Sequence, residues 1–166
     1  TEEIHGTSTG RKIHRGELLC TLVCPGIWGY RALLERTFVY GEVTPAQRKG
    51  MEAVMEAFDK GVEAMAPEVP CSDIARIVTD TLARRGYEKN VVFGFGHSIG
   101  VISDIRHERT ELRTYNQSPL REGMTVSFEP NITIPRVGHF RLCSTILITG
   151  KGTEFITDYE RFPVKS

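Results

Sequence analysis

The sequence carries no surplus of charge. Its 21 lysines and arginines stand against 21 aspartates and glutamates, so the electrostatic footprint of a nucleic-acid or anionic-membrane binder is missing. No apolar run approaches the length of a membrane span. Low-complexity tracts and recognisable internal repeats are absent too. Cysteine is limited to Cys20, Cys24, Cys71 and Cys143, with no C-x-x-C pair. That number and spacing do not suggest a disulfide scaffold and make a reducing cytoplasm the expected compartment. What remains is the composition of an ordinary folded domain, 40% hydrophobic and 25% charged over 166 residues, long enough to bury a core.

Against that background one stretch stands out. Phe93-Gly94-Phe95-Gly96-His97-Ser98-Ile99-Gly100 sets a histidine among glycines, just after the apolar pair Val91-Val92. Such a turn is expected to present the imidazole to a cavity instead of packing it. Farther on, Met124-Thr125-Val126-Ser127-Phe128-Glu129-Pro130 places a carboxylate at the end of a strand-like run. A histidine and a carboxylate on neighbouring strands suffice for proton transfer or for part of a metal site. They are equally compatible with a buried, hydrogen-bonded His–Glu pair.

The flanking chain reads as α+β. Residues 18–25 form a buried strand, Pro25-Gly26 a turn, and residues 27–39 the return strand. Thr44-Pro45-Ala46-Gln47 is a capping box with proline in the first turn. Met51, Val54, Met55, Phe58, Val62 and Met65 follow at helical spacing, and Pro67 and Pro70 end that helix. Ser72 is the expected cap of a second helix with the stripe Ile74, Ile77, Val78 and Leu82, ending at Gly86. The charged run from Ser103 to Pro119 is expected to form a loop on the rim of the site. Strands are expected at 125–133, 139–149 and 153–156, in an antiparallel sheet with helices on one face.

Several motifs in the same order give the chain a family resemblance. Gly96-His97-Ser98-Ile99-Gly100 resembles GHGIG of the pita-bread enzymes: methionine aminopeptidase, Xaa-Pro aminopeptidase, prolidase and creatinase. Leu120-Arg121-Glu122-Gly123-Met124 with Phe128-Glu129-Pro130 resembles L-x-x-G-M…EPG, and Arg141-Leu142-Cys143-Ser144-Thr145 stands where the family has R-I-E-D-T. Gly150-Lys151-Gly152-Thr153-Glu154-Phe155-Ile156-Thr157 resembles the closing G-x-E-x-L-T. The resemblance implies an α+β pita-bread fold, a curved antiparallel sheet with helices on one face. It also implies that residues 1–166 are a single, N-terminally incomplete domain, the C-terminal part of the catalytic unit.

The departures bear on function. The family's peptidases hold two metal ions with two aspartates, a histidine and two glutamates. Here the aspartate positions fall on Leu22 and Leu33, the last glutamate position on Cys143, and only His97 and Glu129 are kept. Two leucines cannot bind a hard cation. No metal and no cofactor are therefore expected, although a single-ion site of His97, Glu129 and Cys143 stays open.

Within the family the resemblance to creatinase is the fullest, at Gly29-Tyr30, Leu34-Glu35-Arg36-Thr37, residues 93–98 and residues 126–130. Creatinase hydrolyses a C–N bond without metal. The resemblance makes His97 the general base and Glu129 a substrate-holding carboxylate. It places His5 near an early family histidine that lines the pocket. The family's second histidine falls on Asp104, with His107 a little later. Arg141 and Cys143 complete the substrate-binding candidates, Arg141 pairing either with a substrate carboxylate or with Glu129.

Two classes of function follow. One is a metal-independent hydrolase of a small amide, amidine or guanidino compound. An imidazole titrating near about 6.5 can accept a proton from water at neutral pH. The other is a non-catalytic module that binds a peptide or small ligand on a fold whose metal site was lost. A cysteine nucleophile at Cys143, with His97 as base, ranks below both. The expected partners are a small molecule or short peptide, a second copy in a homodimer, and a preceding segment of the same protein; nucleic acid and membrane are not expected.

Overall fold

The computed structural model describes residues 10–101, 110–162 and 164–165. His5, Asp104 and His107 lie outside them, as does the first part of the expected rim loop, residues 103–109.

The strands in chain order are β1 (Leu18–Val23), β2 (Gly26–Ile27), β3 (Tyr30–Arg31), β4 (Leu34–Tyr40), β5 (Gly96–Ser98), β6 (Thr125–Phe128), β7 (Asn131–Ile134), β8 (Gly138–Arg141), β9 (Cys143–Thr149), β10 (Gly152–Phe155) and β11 (Val164–Lys165). Between β4 and β5 come the helices α1 (Pro45–Ala64) and α2 (Cys71–Arg84). Among the described residues, a seven-stranded sheet runs β1-β4-β9-β6-β5, with β10 on β9 and β11 on β4. The small ribbons β2-β3 and β7-β8 stand apart from it.

The capping box forms as the sequence predicts. Thr44 Oγ1 accepts from the Gln47 amide and the Gln47 side chain accepts from the Thr44 amide. The second helix starts differently. Pro70 is its N-cap and no side chain caps it, while Ser72 lies inside the first turn and donates to Asp73. With Pro70 fixed in extended geometry immediately before Cys71, the start is set by the backbone, not by a hydroxyl.

Three long strand expectations are divided in the structure. The 27–39 run opens as the β2-β3 hairpin, whose tip residues Trp28 (φ 53) and Gly29 (φ 87) are both left-handed. This is the turn chemistry that closes two-residue hairpins. The 125–133 run breaks at Glu129-Pro130 and the 139–149 run at Leu142, so β7 and β8 leave the main sheet and pair with each other. Pro130 has no N–H to continue a ladder.

Register divides the main sheet into two faces, because opposed residues in an antiparallel pair share a face. Val126 opposes Ile146, and Phe128 opposes Ser144. Val126, Phe128, Ile146 and Ile148 join Val54, Ala57 and Phe58 of α1 in the main core. Gly61 permits that contact, since a Cβ there would collide with the Phe128 ring. The other face carries Cys20 opposite Thr37, Glu35 opposite Cys143, Ser127 opposite Thr145, and His97 opposite Ser127. One sheet thus packs helices on one side and gathers polar side chains on the other.

Candidate functional site

His97 sits in the short strand β5 and not on a turn. Its backbone faces Ser127 on one side and bridges Glu111 on the other, and 8% of the residue is exposed. Gly96 allows the close strand approach: at φ 143 it holds a conformation that suits glycine, and a Cβ there would strike the Ser127 carbonyl. The His97 Nδ1 atom lies 2.7 Å from the Ser98 carbonyl oxygen. A carbonyl only accepts, so Nδ1 carries the proton and Nε2 is left as the basic nitrogen. Nε2 stands 3.4 Å from Glu129 Oε1.

Glu129 follows the end of β6, where its amide donates to the Phe95 carbonyl at 2.7 Å. Asn131 Nδ2 donates to the Glu129 carbonyl at 3.0 Å and to the Gly94 carbonyl at 3.2 Å, tying the two loops together. The Glu129 carboxylate is buried and engaged at both oxygens. Ser127 Oγ donates to Oε1 at 2.6 Å, and the Arg141 guanidinium donates to Oε2.

Arg141 is also buried, and it faces a second carboxylate. Its Nε lies 2.8 Å from Glu35 Oε2, close enough for an ion pair but off the line of a hydrogen bond. The guanidinium rests 4.6 Å from the centre of the Phe93 ring. Its backbone is fixed by Thr37, whose hydroxyl accepts from the Arg141 amide at 2.9 Å and donates to its carbonyl at 3.0 Å. Of the two pairings open to Arg141 in the sequence, the structure places it with Glu129 and adds Glu35.

Cys143 is fully buried beside Leu33 and Ile99. Its Sγ is 3.3 Å from Ser127 Oγ; because that hydroxyl donates to Glu129, the thiol is the donor in this pair. Burial pushes the Cys143 thiol up to about 11, with the Ser127 contact acting weakly the other way. A thiol that stays protonated at neutral pH is a poor nucleophile, which argues against the cysteine mechanism. Burial and the nearby Glu35 charge raise the Cys20 thiol to about 12.

Sequence reading missed Glu35 and Ser127. The signal for Glu35 was the alternation Glu35, Thr37 in a strand whose other face carries Arg36. For Ser127 it was a hydroxyl two residues before Glu129 on one strand face. His97, Glu129, Arg141 and Cys143 come together, Leu33 lines the group, and Leu22 lies half exposed on the same face. Clefts of about 520 Å³ beside Arg136 and about 480 Å³ beside Phe38 lie away from this cluster. The site is identified by chemistry, not by volume.

Comparison with known proteins agrees with this geometry. The sequence model of Metallopeptidase family M24 matches residues 1–150. An Xaa-Pro dipeptidase of Pyrococcus horikoshii is 32% identical over 95% of the chain and 44% of its own length. A creatinase of a Bacillus species is 34% identical over 96% of the chain and 40% of its own length. The crystal structure of the Pyrococcus horikoshii prolidase superposes with a TM-score of 0.90 at 32% identity, covering 96% of this chain and 45% of that one. The chain therefore spans less than half the length of these relatives.

That family description implies metal, and the donors present can be tested against it. Both Glu129 oxygens are engaged, a guanidinium lies between Glu129 and Glu35, and the Cys143 thiol stays protonated. Leu33 offers no donor, and among the described residues no three His, Cys, Asp or Glu side chains are grouped to hold an ion. This donor set does not fit a pair of hard cations.

Proposed function

Taking as premise that the chain belongs to metallopeptidase family M24 and has its pita-bread fold, we propose that the site hydrolyses a C–N bond without metal, in a small amide, amidine or guanidino compound. The observation that carries this reading is the histidine's fixed tautomer. With Nδ1 held by the Ser98 carbonyl, Nε2 is the nitrogen that takes a proton, and it lies beside a buried carboxylate. Nε2 removes a proton from a water as its oxygen adds to the carbon of the C–N bond. The imidazolium that forms is stabilised by Glu129 Oε1 and then gives the proton to the departing nitrogen. Ser127, which accepts a hydrogen bond from the Cys143 thiol, fixes the orientation of Glu129.

The test is kinetic. A screen of small C–N compounds should yield a substrate, and His97→Ala should remove most of its turnover. Glu129→Gln should weaken substrate binding as well as turnover. Full activity in His97→Ala would refute the assignment.

A second reading, a ligand-binding module, is favoured by one observation: the charges of Glu35, Arg141 and Glu129 already satisfy one another. A protein inactive on every such compound, yet binding a peptide in a His97-dependent manner, would establish it.

In either reading His5, Asp104 and His107 are assigned to the substrate pocket, and the cytoplasm remains the proposed compartment. No helix among the described residues is long and apolar enough to cross a membrane. The exposed Leu22, Val23, Ile27, Trp28 and Tyr30 support the proposal that a preceding segment or a second copy covers this edge of a partial domain. Light scattering of the whole protein distinguishes the dimer from the monomer.

A further inference from the structure

The β7-β8 ribbon backs the site with one polar face. Asn131 opposes Arg141 and Thr133 opposes His139, so these four side chains share a side, while Ile132, Ile134 and Phe140 turn to the core. Asn131 and Arg141 hold Glu129 directly. His139 stands one step farther along the ribbon and has no part in the proton transfer proposed above. It is fully buried, with Nδ1 2.8 Å from Thr133 Oγ1. Burying an imidazole costs desolvation that an apolar side chain would avoid; the hydrogen bond offsets that cost and fixes the direction of the ring. The Phe93 ring stacks on it, with centroids 6.3 Å apart and planes at 28°. The same Phe93 ring carries the Arg141 guanidinium, 4.6 Å from its centre. Phe93 is only half-buried and belongs to neither apolar cluster among the described residues, so its place is set by these two neighbours and not by the core. We infer that His139 is a positioning residue of the site: braced by Thr133, it holds the Phe93 ring against the Arg141 guanidinium, which in turn holds Glu129. The inference rests on Glu129 being a working group of the proposed site. No substrate enters its test, so the outcome is separate from that of the hydrolase reading.

The experiment is nuclear magnetic resonance of the arginine side chains in the whole protein. A proton held over an aromatic face resonates upfield, so the Arg141 Nε–H signal reports the stack. It is identified by its downfield move in Phe93→Leu, which also marks the position of an unstacked guanidinium. In His139→Ala the signal should move to that position, and its exchange with solvent should quicken roughly twofold to tenfold, the range that one aromatic contact allows. His139→Phe, which restores a stacked ring, should return the signal most of the way. Thr133→Val keeps the shape but removes the hydrogen bond, and should give an intermediate position. A His139 that merely fills space would lower the melting temperature in His139→Ala and leave the Arg141 signal in place; that result would overturn the inference. So would a His139→Phe signal that stays with that of His139→Ala, or a Phe93→Leu spectrum in which no such signal moves. If His139→Ala does not fold, Thr133→Val carries the test: a signal moved toward the Phe93→Leu position supports the inference, and an unmoved one overturns it.

Discussion

The two faces of the seven-stranded sheet use the same strands for opposite purposes. On β6, Val126 and Phe128 pack under α1 while Ser127, between them, points to Glu129. On β9, Ile146 and Ile148 join the core while Cys143 abuts Ser127. On β6 and β9 both faces are buried, so burial does not distinguish them; the kind of contact does. One face depends on volume and apolar area, which any well-fitting side chain can supply. The other depends on specific donors, acceptors and charges, where an isosteric change suffices to remove function.

Substitutions can separate the faces. Phe128→Ala should cost about 3–5 kcal/mol of stability by opening a cavity against Phe58 and Gly61, while the surviving folded protein keeps its chemistry. Denaturant titration alongside turnover per folded molecule checks both halves of that statement. His97→Ala should do the reverse, lowering kcat by on the order of a hundredfold to ten-thousandfold while shifting the unfolding midpoint far less than Phe128→Ala. Comparable loss of stability in both variants would erase the distinction between the faces.

Alkaline pH gives a smaller effect, which Cys143 brings to the polar face. An unfolded thiol ionises near about 8.5, whereas Cys143 in the fold is pushed up to about 11. Between those values the folded state alone keeps the proton, so stability falls as pH rises, and the contribution is complete below the lower one. Denaturation midpoints from pH 8 to pH 11 should show this decline, and Cys143→Ala should flatten part of it. A slope unchanged by that variant would show that the decline arises elsewhere.

The smallest effect belongs to the helix-covered side. Thr44→Ala should cost about 1 kcal/mol through loss of the reciprocal capping contacts and leave kcat unchanged.

What the sequence made legible was local. The capping box needs only Thr44 and Gln47, and the His97 and Glu129 motifs each lie within one short segment. Strand breaks were harder to read, because β-branched or aromatic residues continue on both sides of Glu129-Pro130 and Leu142, and alternation does not reveal a change of sheet. Glu35 was hidden by pairing. Its place beside Arg141 follows from β4 lying against β9, with Glu35 opposite Cys143, a long-range register that no local pattern encodes. On a sheet buried on both faces, an acid in a strand does not announce which side it serves.

The proposed reading is that this member of a metallopeptidase family moves protons with His97 and without metal ions. Metal content and turnover measured on one preparation, before and after exhaustive chelation, test it most directly. The account predicts no stoichiometric metal and a rate that chelation leaves unchanged. About two ions per chain, with activity lost on chelation and restored by adding the metal back, would contradict it.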